Sequence, residues 1–537
     1  MTVAQETGEL RNSGHPGNEE FDTLIYGSPP LAYPAALSPY VIYNTPDPAY
    51  VTGRINISAF ANLGAATPWP FTNANVPLNG HICIPRGRGP FPLAVFAHGN
   101  HNPFENSTPG YLYLCQLLAS HGIIAATIDV NFLNGSNFGE NDARAIVHLE
   151  HLKQFRSWNN TASHPLHGKV ELNRILIVGH SRGGEAVGHA SFFNRLAAIG
   201  PVVLDGSAGL GPYRFGLSAA AAIAPTDRQF VPATGPTVVP DSYFIIHGSK
   251  DSDVSSFEGY HTYERAHAVD LANPTVSDGK FKAMLWVHKA NHNQFNSVWA
   301  PDVAMPRSNQ EQIARVHLGA LALAVLLDRR EYLAVLRDHA VATAWNPAGT
   351  ELVSQYQDPQ RVFVQHNQEG LGPPVVSLPV QGTVAADGVA AARQLTALVG
   401  GAPTTTITLR LAWSSVGSRL LLKADPATLP AERYKVIALR VGQSNEAANS
   451  PNRDQDFTLE VSSGSRTAAF PASSFHRLLF PDPPPFGPAK IVMQTLRLPV
   501  ARLVEWGVDP SDLRAIALVF DRRQTGVVYA GDLQFTN

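Results

Sequence analysis

At 537 residues the chain is too long for one ordinary domain, and a prior of roughly 100 to 200 residues per domain predicts two or three. Its 44% hydrophobic and 15% charged residues exclude a wholly disordered chain; Lys+Arg 40 against Asp+Glu 43, a formal charge of -3 without a basic stripe, speaks against nucleic acid as a partner. The only cysteines, Cys83 and Cys115, exclude a disulfide framework and a four-cysteine zinc site but permit one bridge.

Residues 1 to about 75, rich in Pro, Tyr, Asn and Gly, read as an extension lying on the next domain, with one strand near Val51 to Phe60. The first twenty residues carry neither a basic n-region nor an apolar h-region, so a cytoplasmic protein or a mature secreted form is expected and the compartment stays open. From 76 to 340, short apolar runs alternate with helix-like segments. Strands are predicted at His81 to Pro85, Leu93 to Ala97, Ile123 to Asp129, Arg174 to Val178, Val202 to Asp205, Tyr243 to His247 and Ala283 to Val287. Helices are predicted at Tyr111 to Ser120, Asn141 to Trp158, Gly183 to Ile199, Phe257 to Leu271 and Asn309 to Arg337. Most of the strands are continuous apolar runs, the pattern of a parallel sheet covered on both faces. The apolar run Ile313 to Leu327 contains Arg315 and His317 and is shorter than the ~20 residues of a spanning helix, so no transmembrane segment is expected. Residues 206 to 240 read as an insertion between two strands, where a lid is expected. A linker is predicted over 341 to 380, followed over 381 to 537 by strand-like runs that describe an all-β, jelly-roll-like sandwich. The fold class is therefore α/β with a C-terminal β-sandwich.

The sharpest local signal is Gly179-His180-Ser181-Arg182-Gly183, set between an apolar strand and a helix. On such a turn the serine is strained and its Oγ exposed, and small residues two before and two after let strand and helix pass closely. A serine hydroxyl is a weak nucleophile that needs an imidazole to take its proton, and the imidazole needs a carboxylate to fix its tautomer. His292, in a loop of small and polar residues past the last predicted strand, is preferred to His288, which belongs to the strand. Asp251, directly after a strand, is preferred as the acid, with Asp253 and Asp205 as alternatives. Two N–H donors must meet the oxyanion; the Arg182 amide and the Asn100 amide after His98-Gly99 are expected to supply them, with His101 as the fallback. The other reading of HGNHN is a polar loop or a metal site built from His98 and His101. The Arg182 side chain either contacts substrate or pins its loop by a salt bridge.

His98-Gly99, Gly179-His180-Ser181-Arg182-Gly183-Gly184, the Gly248/Asp251 turn and Asn291-His292 together resemble the α/β-hydrolase superfamily, over roughly residues 76 to 340. GHSRGG resembles the lipase motif of chlorophyllases, and the wider arrangement is similar to platelet-activating-factor acetylhydrolases and cutinase-like polyester hydrolases. The resemblance implies a cofactor-free and metal-free serine hydrolase of carboxylic esters, small or polymeric, with Ser181, His292 and Asp251 as its triad. His180, Tyr213 and Phe215, with Leu217, are expected to line an apolar acyl or aryl pocket. Amide or urethane cleavage by the same triad, and a non-catalytic binding protein on the same scaffold, are the alternatives. The final strand resembles that of carbohydrate-binding jelly rolls, which implies glycan or polymer contact; a sandwich that only packs on the catalytic domain is the other reading, and neither gives it a triad residue. His148-Leu149-Glu150-His151 reads as a solvated helix face rather than a metal site.

Overall fold

In the computed structural model the described residues are 10–61, 63, 66–135, 140–197, 199, 210–229, 239–266, 279–301, 305–367, 376–377, 382–399, 402–464 and 466–537. In chain order the first part contains β1 (Phe21–Tyr26), a short pair β2 (Arg54–Ile55) and β3 (Val76–Pro77), then β4 (Gly80–Pro85), β5 (Phe91–Ala97), α1 (Leu112–Ser120), β6 (Ile124–Ile128) and α2 (Glu140–Asn160). It continues through β7 (Val170–His180), α3 (Arg182–Phe193), β8 (Leu217–Ile223), β9 (Ser242–Gly248), α4 (Gly259–Arg265), β10 (Lys282–Val287), α5 (Arg307–Leu326), α6 (Leu333–Arg337) and β11 (Leu352–Gln357). Nine of these strands form one sheet in the order β1-β4-β6-β5-β7-β8-β9-β10-β11. The run from β6 to β10 is parallel, and β1, β4 and β11 close its edges antiparallel.

The continuous apolar runs are explained by helices on both faces. Along β7, Ile175 and Ile177 enter a core shared with α2, α3 and the N-terminal segment, while Leu176 and Val178 enter one shared with α1 and α5. Successive side chains of a strand point to opposite faces, so a strand covered on both has no place for polar alternation. Among the described residues no helix is long and apolar enough to cross a membrane. Cys83 and Cys115 are both buried and unbridged.

Four expectations are corrected. The alanine run read as part of a lid at 206 to 240 is β8, inside the sheet between β7 and β9. Alanine has low strand propensity, but here Ala219 to Ala222 are buried on both faces, a position that small side chains permit. Residues 206–209 and 230–238 of that span, and the strand expected at Val202 to Asp205, lie outside the described residues. The N-terminal stretch supplies the edge strand β1 in addition to the short β2 near the expected place, and β11 falls within the expected linker. The third correction concerns His148 to His151, which is buried rather than solvated: the Tyr26 hydroxyl meets His151 Nδ1 at 2.9 Å, and Tyr213 donates to Glu150 Oε1 at 2.7 Å. The N-terminal residues cover the outer side of α2, as the Tyr26–Trp158 and Tyr50–Trp158 edge contacts at 5.7 and 5.4 Å record. The Tyr213–Glu150 bond carries the fourth correction. Tyr213 and Phe215 lie just before β8, whose Leu217 pairs with Ile175, about 20 Å of strand from Ser181, so they build the far end of the core and not a pocket beside the serine.

The second part comprises β12 (Arg361–Asn367), β13 (Val376–Ser377), β14 (Gly382–Asp387), β15 (Val389–Val399), β16 (Ala402–Trp413), β17 (Ser418–Ala424) and β18 (Val436–Gln443). After these come β19 (Thr458–Ser463), β20 (Arg466–Pro471), β21 (Gln494–Pro499), α7 (Val500–Glu505), β22 (Leu513–Phe520) and β23 (Gly526–Thr536). They form antiparallel sheets of seven and five strands packed as a β-sandwich, with Leu411, Leu439 and Phe535 of one facing Leu420, Val461 and Leu518 of the other. The sandwich is joined to the first part by apolar and polar contacts. Met493, Val527 and Tyr529 enter the same core as Trp286 and Val353, and Arg440 pairs with Glu264 and donates to Tyr260 Oη at 2.9 Å.

Candidate active site

β7 ends at His180 and α3 begins at Arg182, so Ser181 alone makes the turn. It does so at φ 57° and ψ -124°, a conformation that a residue with a Cβ adopts at a cost of about 1–3 kcal/mol. The backbone around it is fully used: Ser181 N donates to Ile223 O at 2.9 Å, and Ser181 O accepts from Gly184 N at 2.8 Å. Two of the motif's glycines are required by contact. A Cβ on Gly179 would lie 1.9 Å from the Gly183 carbonyl oxygen, and one on Gly183 would lie 2.6 Å from His98 O. Across the turn, a Cβ on Gly99 would lie 2.4 Å from Ser181 Cβ, which puts the β5 turn that carries Asn100 directly against the serine.

His292 follows β10 in a loop held by Gln310 of α5, which accepts from Asn291 N at 2.9 Å and donates to Asn291 O at 3.1 Å. Its Nδ1 lies 2.8 Å from Asp251 Oδ2, and both residues are buried. Asp251 Oδ1 accepts from Asp253 N at 3.0 Å and Val254 N at 2.7 Å, which turns the other oxygen to the imidazole. Burial pushes the Asp251 carboxyl up, but the His292 imidazole outweighs it and holds the group below the usual carboxylate range. An ionised Asp251 accepts Nδ1–H, and His292 Nε2 is left as the basic nitrogen. Asp253, 68% exposed at its side chain, has Oδ2 3.5 Å from that Nε2.

His292 is tied to the serine turn through His180, whose ring lies 4.9 Å from it. His180 is fully buried, hydrogen-bonded at Nδ1 to the Tyr111 hydroxyl at 2.8 Å, and packed 4.8 Å from the Trp299 ring. Burial and the neighbouring His292 hold its pKa well below that of a free imidazole. It stands as a neutral wall behind the base rather than as the lining of an open pocket. Neither Trp299 nor Tyr111 is singled out by sequence spacing, although Trp299 falls in the same loop as His292.

The remaining site residues divide by what engages them. Asn100 Oδ1 accepts from Gly135 N at 2.8 Å, which fixes the loop that presents its amide. The Arg182 amide opens α3, where the first N–H groups of a helix have no intrahelical acceptor. Its guanidinium pins the loop: it donates to the buried Glu140 at 2.6 Å, and Glu140 also pairs with the buried Arg144 at 3.2 Å. A metal site at His98 and His101 is overturned, because His98 Nε2 accepts from Val130 N at 3.1 Å and Nδ1 meets Gly99 O at 2.8 Å, with burial holding its pKa down to about 3. His101 instead stacks on Trp299 at 4.8 Å and meets Glu105 at 3.1 Å. His288 lies past β10 and lines a cavity at the sandwich junction with Trp286 and Asp482. Asp205 lies outside the described residues.

Among the described residues two other clusters bring three ligand-type atoms within 4.8 Å, Asp338–His339–His476 and Asp227–Glu258–His261. In the first, Asp338 pairs with His476 at 3.1 Å and caps Ala340 N at 2.8 Å; in the second, Arg265 neutralises Asp227. Hydrogen bonds to Asp227 and then Glu258 raise the His261 pKa to about 9. A raised histidine stabilises the fold fully below its unfolded pKa, here about 6.5, and loses that contribution as pH rises through about 9. The thermal midpoint is expected to fall between pH 6.5 and 9 in the native chain and to fall less steeply in His261→Gln, measured by a melting series across that window.

No family model matches the chain, and no curated protein matches it.

Proposed function

We propose that the chain is a serine hydrolase of the α/β-hydrolase type that cleaves carboxylic esters through an acyl-enzyme. The observation that carries this reading is a strained serine at φ 57° between strand and helix, directly after His180, whose ring lies 4.9 Å from the His292 of a buried imidazole–carboxylate pair 2.8 Å apart. His292 Nε2 takes the Ser181 proton as Oγ adds to the ester carbonyl, and Asp251 stabilises the imidazolium. The Arg182 and Asn100 amides receive the oxyanion, each worth a factor of ~10² to 10³. The tetrahedral intermediate collapses with expulsion of the alcohol, to which His292 returns the proton. Water then attacks the acyl-enzyme by the same route and releases the acid.

A hydrophobic acyl or aryl group is supported by exposed apolar side chains on and beside the loop that follows Asn100. Phe104, 39% exposed, lies on the loop of Asn100 and His101; Val41 and Ile42, 46% and 36% exposed, follow Tyr40, whose hydroxyl donates to Pro103 O at 2.8 Å. Incubation with an alkyl fluorophosphonate, followed by peptide mass spectrometry, is expected to place one covalent adduct on Ser181. An unmodified Ser181 under conditions that label a known serine esterase to completion would exclude the reading, and would favour a binding protein on the same scaffold.

A further inference from the structure

The residue before the Asp251 loop's lysine is a junction. Ser249 directly follows β9, and its Oγ accepts from Lys289 N at 2.7 Å, at the start of the loop that carries His292. Lys250 N donates to Ala290 O at 2.8 Å, and a Cβ on Gly248 would lie 2.3 Å from that same oxygen. The acid loop and the base loop are thus sewn together within three residues of each catalytic group. The seam is finished from the other domain: Ser249 Oγ donates to Asp482 Oδ2 in a short contact, and Lys250 Nζ donates to Asp482 Oδ1 at 2.8 Å and to Pro483 O at 2.5 Å. Pro484 and Lys490 close a narrow cleft against Asp251 and Val254. Partial burial pushes the Asp482 carboxyl up, but the Lys250 and Ser249 hydrogen bonds outweigh it and keep the group below the usual carboxylate range.

We propose that Asp482, supplied by the sandwich, is a positioning residue for the triad: through Ser249 and Lys250 it fixes the two loops that carry Asp251 and His292. The proposal rests on the serine-hydrolase reading. Its physical basis is the steepness of catalysis with geometry, where displacement of a reacting group by ~1 Å costs a factor of about 10². Ser249 cannot hold Lys289 N in a fixed direction unless its own proton is committed, and Asp482 is the acceptor that commits it. This assigns the sandwich a part in the reaction, beyond the packing or the glycan or polymer contact expected from the sequence.

The test uses the full chain, fluorophosphonate labelling and steady-state hydrolysis of a small activated ester. Asp482→Ala is expected to lower kcat about 10- to 100-fold with KM within about twofold. It should also move the acidic limb of the kcat profile to lower pH, because an imidazole out of line with Asp251 binds its proton less tightly. Arg477→Ala, which breaks the exposed Arg477–Glu351 pair of 2.8 Å at another point of the domain junction, is expected to keep kcat and limb unchanged. Wild-type kcat in Asp482→Ala, or the same loss in both variants without a moved limb, would overturn the proposal. If Asp482→Ala does not fold, Ser249→Ala must give the kcat loss and limb shift, and normal kcat there overturns it equally. Failure of the premise reads differently, since the wild-type chain would then take no label.

Discussion

Ser181→Ala is expected to lower ester turnover by about 10⁴- to 10⁶-fold, the range for loss of an activated nucleophile whose partners remain. Residual rate would come from amides that still polarise the carbonyl for direct attack by water. The same variant should take no fluorophosphonate. Its stability is expected to stay near that of the native chain, because alanine also carries a Cβ and bears the same strain at φ 57°. Undiminished turnover with a pure, folded variant would remove Ser181 from the mechanism.

Asp251→Asn should lower kcat by about 10⁴-fold with little change in KM. The direction follows from which oxygen does what. Oδ1 accepts from the Asp253 and Val254 amides, so the asparagine carbonyl takes that place and its NH₂ is turned to His292 Nδ1. Nδ1 must then be the acceptor, Nε2 carries the proton, and the base has nothing with which to accept from serine. Asp253→Asn is expected to change kcat by less than about threefold, because its carboxylate is 68% exposed and screened by water. A large loss at Asp253 with none at Asp251 would reverse the assignment. Steady-state kinetics on one activated ester separates the outcomes.

Much of the sheet was legible because burial on both faces leaves a mark in the sequence itself. LAVFA, ILIVG and YFIIH are unbroken apolar runs, and each lies in a parallel strand of the sheet. The alanine run of β8 leaves no such mark, since a residue chosen for smallness under two helices looks like a helix former in isolation. β1, FDTLIY, is an edge strand with mixed exposure, and its pattern is too short to stand out from the polar segment around it. At the candidate site, the turns at Ser181 and Asp251 were legible because short local motifs mark them. In the serine turn Gly179 meets Gly183 within five residues, and the Asp251 turn is held by bonds two and three residues away, whereas the contacts of the serine turn with His98, Gly99 and Ile223 come from β8 and the turn after β5. The Glu140–Arg144–Arg182 network and the Asp482 clamp join residues from separate elements, and no spacing in a single chain encodes them.

The bond between Ser249 and Asp482 spans 233 residues of chain. During synthesis at ~5–20 residues per second, the ribosome passes from His292 to Asp482 in on the order of 10 to 40 s. Throughout that interval the nascent chain already holds Ser181, Asp251 and His292 and the residues that join their loops, but not the carboxylate that clamps Ser249 and Lys250. On the proposed reading, an order of assembly follows: the site would form with its two loops joined only to each other, and the sandwich would add its clamp afterwards.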